Sequence, residues 1–148
     1  MQSTAPPLTS SPRDIAERAF SRAAGADLIE GNEIELLIDA EVHFERWLRA
    51  IGHARQHVLL ENYIICNDTV GRRFRDALVE RARAGVFVAV IYDWMGCVGM
   101  LRASFWIPLR EVGGHVRIFK PPQLSKPFGW LRRDHRKVLV VDGRKGFF

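Results

Sequence analysis

The chain has 148 residues, of which 47% are apolar and 26% charged, with two cysteines and a formal net charge of +5. That is one domain's worth of chain with enough apolar residues for its own core, which excludes a low-complexity protein or a small disulfide-stapled scaffold. The longest apolar run, Val86 to Tyr92, is strand length and far short of the ~18 residues a membrane-spanning helix needs.

The opening "MQSTAPPLTSSPRD" lacks the basic-then-apolar pattern of a secretory leader, so a soluble or peripherally bound protein on the cytoplasmic side of a membrane is expected. Residues 1–12, rich in Pro, Ser and Thr, read as a flexible tail. A weakly amphipathic helix follows over residues 13–24, with Ile15, Ala16, Ala19 and Phe20 on one side. "GNEIELLID", residues 31–39, reads as a strand. Asp39 is then placed to cap a helix in which Phe44, Trp47, Leu48 and Ile51 recur at helical spacing.

"HVLLENYIIC", residues 57–66, is the next expected strand, and Asp68 or Thr69 can cap the helix after it, where Val70, Phe74, Ala77 and Leu78 share a face. "VFVAVIY", residues 86–92, is continuously apolar and β-branched, as a central parallel strand covered on both sides would be. A short helix over about residues 101–112 is perturbed by Pro108. The strand "HVRIFK" follows Gly113-Gly114, and a loop, "PPQLSKPFGWLRRD", leads into the last strand, "HRKVLVVD". Alternating strands and helices predict an α/β fold, a layered sheet with helices on both faces and much parallel pairing. Cys66 and Cys97 have no metal-type spacing and are expected as reduced, buried thiols.

That last strand carries the chemistry. Side chains alternate along it, so His135 and Lys137 are expected on one face and Asp142 on the other. A lysine supplies a positive point charge, and a histidine supplies a nitrogen able to act as nucleophile, acid or base. Side by side they suit a phosphate ester, whose oxygens must be neutralised before a nucleophile approaches. Taken alone, an H-x-K pair is far more often two solvent-facing residues of an edge strand. Asp142-Gly143 is a hairpin signal, which favours a turn or hydrogen-bonding role for Asp142 over a catalytic one.

"HRKVLVVDG", with its H-x-K-x4-D spacing, resembles the signature of the phospholipase D superfamily, most closely its cardiolipin synthase-like branch. "VLLENYIICNDTVGRRFRDALVERARAGVFVAVIYDWMGC" is similar to the region before that family's first signature, and "RRDHRK" to its basic approach to the histidine. The resemblance covers roughly residues 31–148, with residues 1–30 a tail and helix outside it. It implies one lobe of a two-lobed fold. His135 would be one of two active-site histidines, either the nucleophile that forms a phosphohistidine or the acid that protonates the leaving alcohol. Lys137 would hold the phosphate oxygens, and Asp142 would support the signature. No metal and no cofactor is implied. The family's signature continues past the aspartate, whereas "GRKGFF" reaches only the lead-in, and the family has two signatures where this sequence has one. A missing C-terminal half or a second subunit is therefore expected to complete the site.

Two further carboxylates are candidates for lining that site. Glu61 lies mid-strand among apolar neighbours, where it could orient a histidine or lysine or form a structural salt bridge. Asp93 ends the central strand, where open α/β sheets place ligand-facing groups, although helix capping or loop structure is the more common role for such a residue. Phe128, Trp130, Arg132 and Arg133 mix aromatic and basic side chains next to the motif. They suit contact with an anionic bilayer surface, or else Phe128 and Trp130 pack against the missing half. His43, His53, His57 and His115 carry no motif. The expected activity is phosphatidyl transfer of the cardiolipin synthase kind, with an anionic phospholipid as substrate and nucleic acid disfavoured as a partner. The alternatives are a phosphodiesterase or nuclease working as a dimer, favoured by the pI near 9.8, and an inert lipid- or partner-binding fragment.

Overall fold

The computed structural model describes residues 11–27, 29–122 and 133–148. The chain divides into two compact units, residues 1–36 and 37–148. In the first, helix α1 (Pro12–Ala24) starts at a reciprocal cap: the Ser11 hydroxyl accepts from the Asp14 N–H, and the Asp14 carboxylate accepts from the Ser11 N–H. It ends on Gly25 in the left-handed region (φ 65°) and buries none of its residues.

The strand expected over residues 31–39 is absent. Its alternating apolar side chains stay exposed, with Ile34 at 93% and Leu36 at 84%. Alternation marks a surface that can lie on a sheet, but a strand exists only where a neighbour takes its backbone hydrogen bonds. No described strand pairs with this segment.

The second unit holds helices α2 (Ala40–Gly52), α3 (Thr69–Arg83) and α4 (Ile107–Glu111) and strands β1 (His57–Asn62), β2 (Phe87–Asp93), β3 (His115–Phe119), β4 (Lys137–Val141) and β5 (Lys145–Phe147). Asp39 occupies the cap position of α2 without a side-chain capping bond, whereas Asp68 caps α3 by accepting from the Gly71 N–H at 2.7 Å. Gly71 must be glycine, because a methyl group there would collide with the Cys66 carbonyl. Pro108 sits in the first turn of α4, where its missing N–H costs nothing. The predicted single helix is accordingly split into a 3₁₀ turn (Ala103–Trp106) and α4.

The sheet runs β3-β2-β1-β4-β5. β1, β2 and β3 are parallel; β4 is antiparallel to β1, and β5 to β4. The β4–β5 turn is built on Asp142 (φ 54°) and Gly143 (φ 64°), with the Arg144 N–H returning to the Val141 carbonyl at 3.0 Å. Two successive left-handed residues make the turn whose twist matches an antiparallel pair.

This is the expected open α/β sheet flanked by helices. Its core takes one face: Val58, Leu60, Val88, Val90, Tyr92, Leu139 and Val141 are buried against Trp47, Ile51, Leu78, Trp106 and Leu109. The expectation that β2 is covered on both sides is not met, since Phe87 and Ile91 on its other face are 50% and 38% exposed. The apolar run is longer than the covering found within the described residues.

Both cysteines are free thiols. Cys97 is buried, and burial pushes its pKa up.

Candidate active site

Lys137 is the first residue of β4, paired in register with Asn62, the last residue of β1. The ladder therefore ends where the motif begins, and His135 lies just outside it, beside the residues that leave β1. Its ring stacks on Tyr63, with centroids 3.9 Å apart and planes 21° from parallel. Neither nitrogen of His135 has a hydrogen-bond partner among the described residues, and the side chain is exposed. No described carboxylate pairs with the Lys137 ammonium. Lys137 is one wall of a cavity of about 350 Å³ beneath the covered face of the sheet, and His135 lies outside its lining.

Asp93 fixes the approach to His135 from behind. It is the buried carboxylate of the core, 2% exposed. Its Oδ1 accepts from the Gly96 N–H at 3.0 Å, closing the turn that follows β2, and its Oδ2 accepts from the Asp134 N–H at 2.9 Å. One side chain thus ties the end of β2, the neighbour of the central strand β1, to the residue before His135. Gly96 in turn packs on the Tyr63 carbonyl, too closely for any side chain. Asp93, Gly96, Tyr63 and Asp134 form one cradle around the histidine.

Glu61 points to the opposite sheet face from Asn62 and belongs to an ionic cluster. Its carboxyl shares a hydrogen bond with Asp134, which, with partial burial, holds the Glu61 pKa above the usual carboxylate range against the pull of Arg136. The same bond lowers the Asp134 pKa. Arg136 completes the cluster, 3.5 Å from Glu61 and 3.9 Å from Asp134. Glu61 touches neither His135 nor Lys137 among the contacts present; its partners are Asp134 and Arg136.

Asp142 stands at the far end of β4, roughly 17 Å from Lys137 at about 3.3 Å per residue. Its carboxylate accepts the backbone N–H groups of Arg55, Gln56 and His57 at 2.8–3.2 Å, and these bonds lower its pKa. Its own N–H donates to the His57 carbonyl at 2.9 Å. The structure thus brings His135 and Lys137 to one end of β4 and leaves Asp142 at the other, tying the hairpin turn to the start of β1.

Of the four residues expected at a membrane surface, Phe128, Trp130 and Arg132 lie outside the described residues. Arg133 donates to the Tyr63 hydroxyl at 3.3 Å. The sequence alone gives no role to Tyr63, Asn62 or Asp134. Their placement depends on β4 running antiparallel to β1, so that the end of one strand meets the start of the other. Among the described residues no group of histidine, cysteine and acidic side chains is placed to hold a metal ion.

No protein-family model matches the chain. It is 40% identical over 121 residues to the major cardiolipin synthase of Bacillus subtilis, an alignment covering 80% of this chain and 24% of that protein. It is 36% identical over 138 residues to cardiolipin synthase A of Pseudomonas putida, covering 89% of this chain and 28% of the relative. Among solved structures it resembles Nuc, a phospholipase D family member from Salmonella typhimurium, with a TM-score of 0.50 and 21% identity over 66% of this chain and 56% of that one. The structural likeness supports the fold, and the sequence likeness supports the branch. The chain belongs to the phospholipase D superfamily, in its cardiolipin synthase-like branch, and spans about a quarter of the length of the curated relatives it matches.

Proposed function

We propose that this chain carries one half-site of a phosphatidyltransferase of the cardiolipin synthase kind. The similarity to cardiolipin synthases over 80% and 89% of the chain carries the proposal. The geometry of the motif is compatible with it: an imidazole held by a ring stack, next to an ammonium, with no hydrogen-bond partner on either nitrogen and no carboxylate on the ammonium among the described residues.

In the proposed reaction a His135 nitrogen attacks the phosphorus of an anionic phospholipid while Lys137 neutralises the phosphate oxygens. The bond from phosphorus to the leaving alcohol breaks, and that alcohol takes a proton from the second histidine, supplied by the rest of the protein or by a partner subunit. A second lipid alcohol then gives its proton to that histidine and displaces the phosphohistidine. If His135 is the acid instead, the same steps run with the two histidines exchanged. Tyr63 would hold the imidazole plane, Asp93 would hold the backbone at residue 134, and Asp142 would support the motif from the hairpin. The anionic substrate places the site at a membrane surface, to which Arg133 and the neighbouring Phe128, Trp130 and Arg132 would contribute. Among the described residues no helix is long and apolar enough to cross a membrane.

The test is phosphatidyl transfer by the complete protein, measured as conversion of phosphatidylglycerol carrying ³²P in its phosphodiester. His135→Asn is expected to abolish transfer, and the unmodified protein to retain acid-labile, base-stable label after a rapid quench in base. Full transfer by His135→Asn would overturn the proposal.

A further inference from the structure

Asn62, the last residue of β1, pairs in register with Lys137 across the antiparallel ladder. Paired side chains on one sheet face have Cβ atoms about 4.5–5.5 Å apart. The Asn62 carboxamide and the Lys137 side chain are therefore neighbours, and both line the cavity beneath the covered face. The next residue along, Tyr63, carries the ring on which His135 stacks. Asn62 thus adjoins both motif side chains, one through the ladder and the other through the chain.

Asparagine is depleted in strands, and its side chain most often bonds nearby backbone. Here it does not. Asn62 is half-buried, its amide has no hydrogen-bond partner among the described residues, and both amide atoms stay open to solvent. The polar groups around it are placed differently. Asp68 accepts from the Gly71 N–H, the His43 ring packs on Trp47 with centroids 4.8 Å apart, and the indole N–H groups of Trp47 and Trp106 are sealed from solvent. Lys137 offers donors alone, which suits phosphate oxygens, whereas a carboxamide offers an N–H and a C=O together. A phosphate oxygen would take the N–H and leave the carbonyl without a donor. An ammonium headgroup would serve the carbonyl but stand against the Lys137 charge. A hydroxyl both donates and accepts, and so answers both halves of the amide.

We infer that Asn62 reads the headgroup: its carboxamide binds a free hydroxyl of the alcohol esterified to the reacting phosphate, and so selects polyol phosphodiesters over alkyl and amine ones. The inference rests on the proposed transferase function and specifies the alcohol that the half-site accepts. The hydroxyl held is not the one that reacts. It fixes the alcohol beside the phosphorus, where orientation contributes to the rate. A site built to bond a hydroxyl discriminates strongly against an analogue lacking it, because the amide is then left unpaired.

The experiment uses the complete protein carrying His135→Asn, so that lipid is bound and not consumed. Its ligands are the dihexanoyl forms of phosphatidylglycerol, phosphatidyl-1-propanol and phosphatidylethanolamine, below their micellar concentrations, with affinities measured by calorimetry. Phosphatidylglycerol is expected to bind at least about tenfold more tightly than either of the others, since two hydrogen bonds to the amide are at stake. Asn62→Val should bring phosphatidylglycerol and phosphatidyl-1-propanol within about threefold of each other by weakening the first alone. Asn62→Thr, nearly the same shape as the valine but with a hydroxyl, should keep part of the preference, which a merely structural role for position 62 would not produce. Asn62→Ala, which only removes atoms, gives the same reading should Asn62→Val not fold. No preference in the parent, or an undiminished one in Asn62→Val or Asn62→Ala, overturns the inference. Equal weakening of all three lipids by Asn62→Val would assign the amide to the phosphate and overturn the headgroup site. The readout is binding, so transfer retained by His135→Asn would sink the enzymatic proposal and leave the headgroup preference standing. Transfer lost in His135→Asn without any headgroup preference would sink the headgroup site alone.

Discussion

Asp93 offers the sharpest test of how the histidine is held. Replacing it by asparagine keeps size and shape but leaves one oxygen for two donors, so either the Gly96 or the Asp134 N–H faces an amide NH₂. A hydrogen bond to a charged acceptor contributes about 1.5–3 kcal/mol, and a buried donor left without a partner costs a comparable amount. Removing the charge also removes the cost of burying it, which offsets part of that loss. The net expectation is a destabilisation of about 2–3 kcal/mol, or roughly 4–12 °C in melting temperature for a chain of this size. Thermal unfolding measures the total, and amide hydrogen exchange locates it: protection should fall at Gly96 or Asp134 before it falls at Leu139 in the core. In the complete protein, transfer should drop with little change in lipid affinity, because His135 loses its backbone support while Lys137 does not. Unchanged melting within about 0.5 kcal/mol, with both amides still protected, would refute the clamp and return Asp93 to a ligand-facing role.

Tyr63→Leu should expose the His135 ring, speeding its modification by diethyl pyrocarbonate and lowering transfer roughly tenfold, whereas Tyr63→Phe should keep the stack; equal modification rates in all three proteins would count against it. Glu61 has a raised pKa, so the stability it adds is present below the unfolded value, about 4.3, and is lost as pH rises through the folded value. Glu61→Gln, whose amide can donate to Asp134 without titrating, should therefore melt at or above the parent temperature at pH 7, and a clear loss there would contradict a raised Glu61 pKa. Asp142 has a lowered pKa, so its contribution is complete above about pH 4 and disappears as pH falls through the folded value. Asp142→Ala should unfold at lower urea than the parent at pH 7, with the gap closing below pH 4; a gap independent of pH would mean the carboxylate charge is irrelevant to the turn.

Much of the local structure is legible in the sequence because its causes are local. The Asp68 cap, the helical spacing of Trp47 and Ile51, the β-branched run of β2 and the Asp-Gly turn each act within a few residues. The motif and its surroundings also suffice to point to the family, since residue order preserves a chemical signature even where no geometry is known. What the sequence leaves open is decided between distant segments. Residues 31–39 have a strand's alternation, but whether they pair depends on a neighbour the local pattern does not specify. β4 runs antiparallel to β1, and only that brings Tyr63 under His135 and Asn62 beside Lys137. Asp93 and Asp134 are 41 residues apart along the chain, and Asp142 and His57 are 85. Glu61 is set against Asp134 rather than a histidine by the same antiparallel register. Alternation and spacing fix which side chains share a face; which faces meet, and in which direction, is settled by packing and hydrogen-bond satisfaction over the whole sheet.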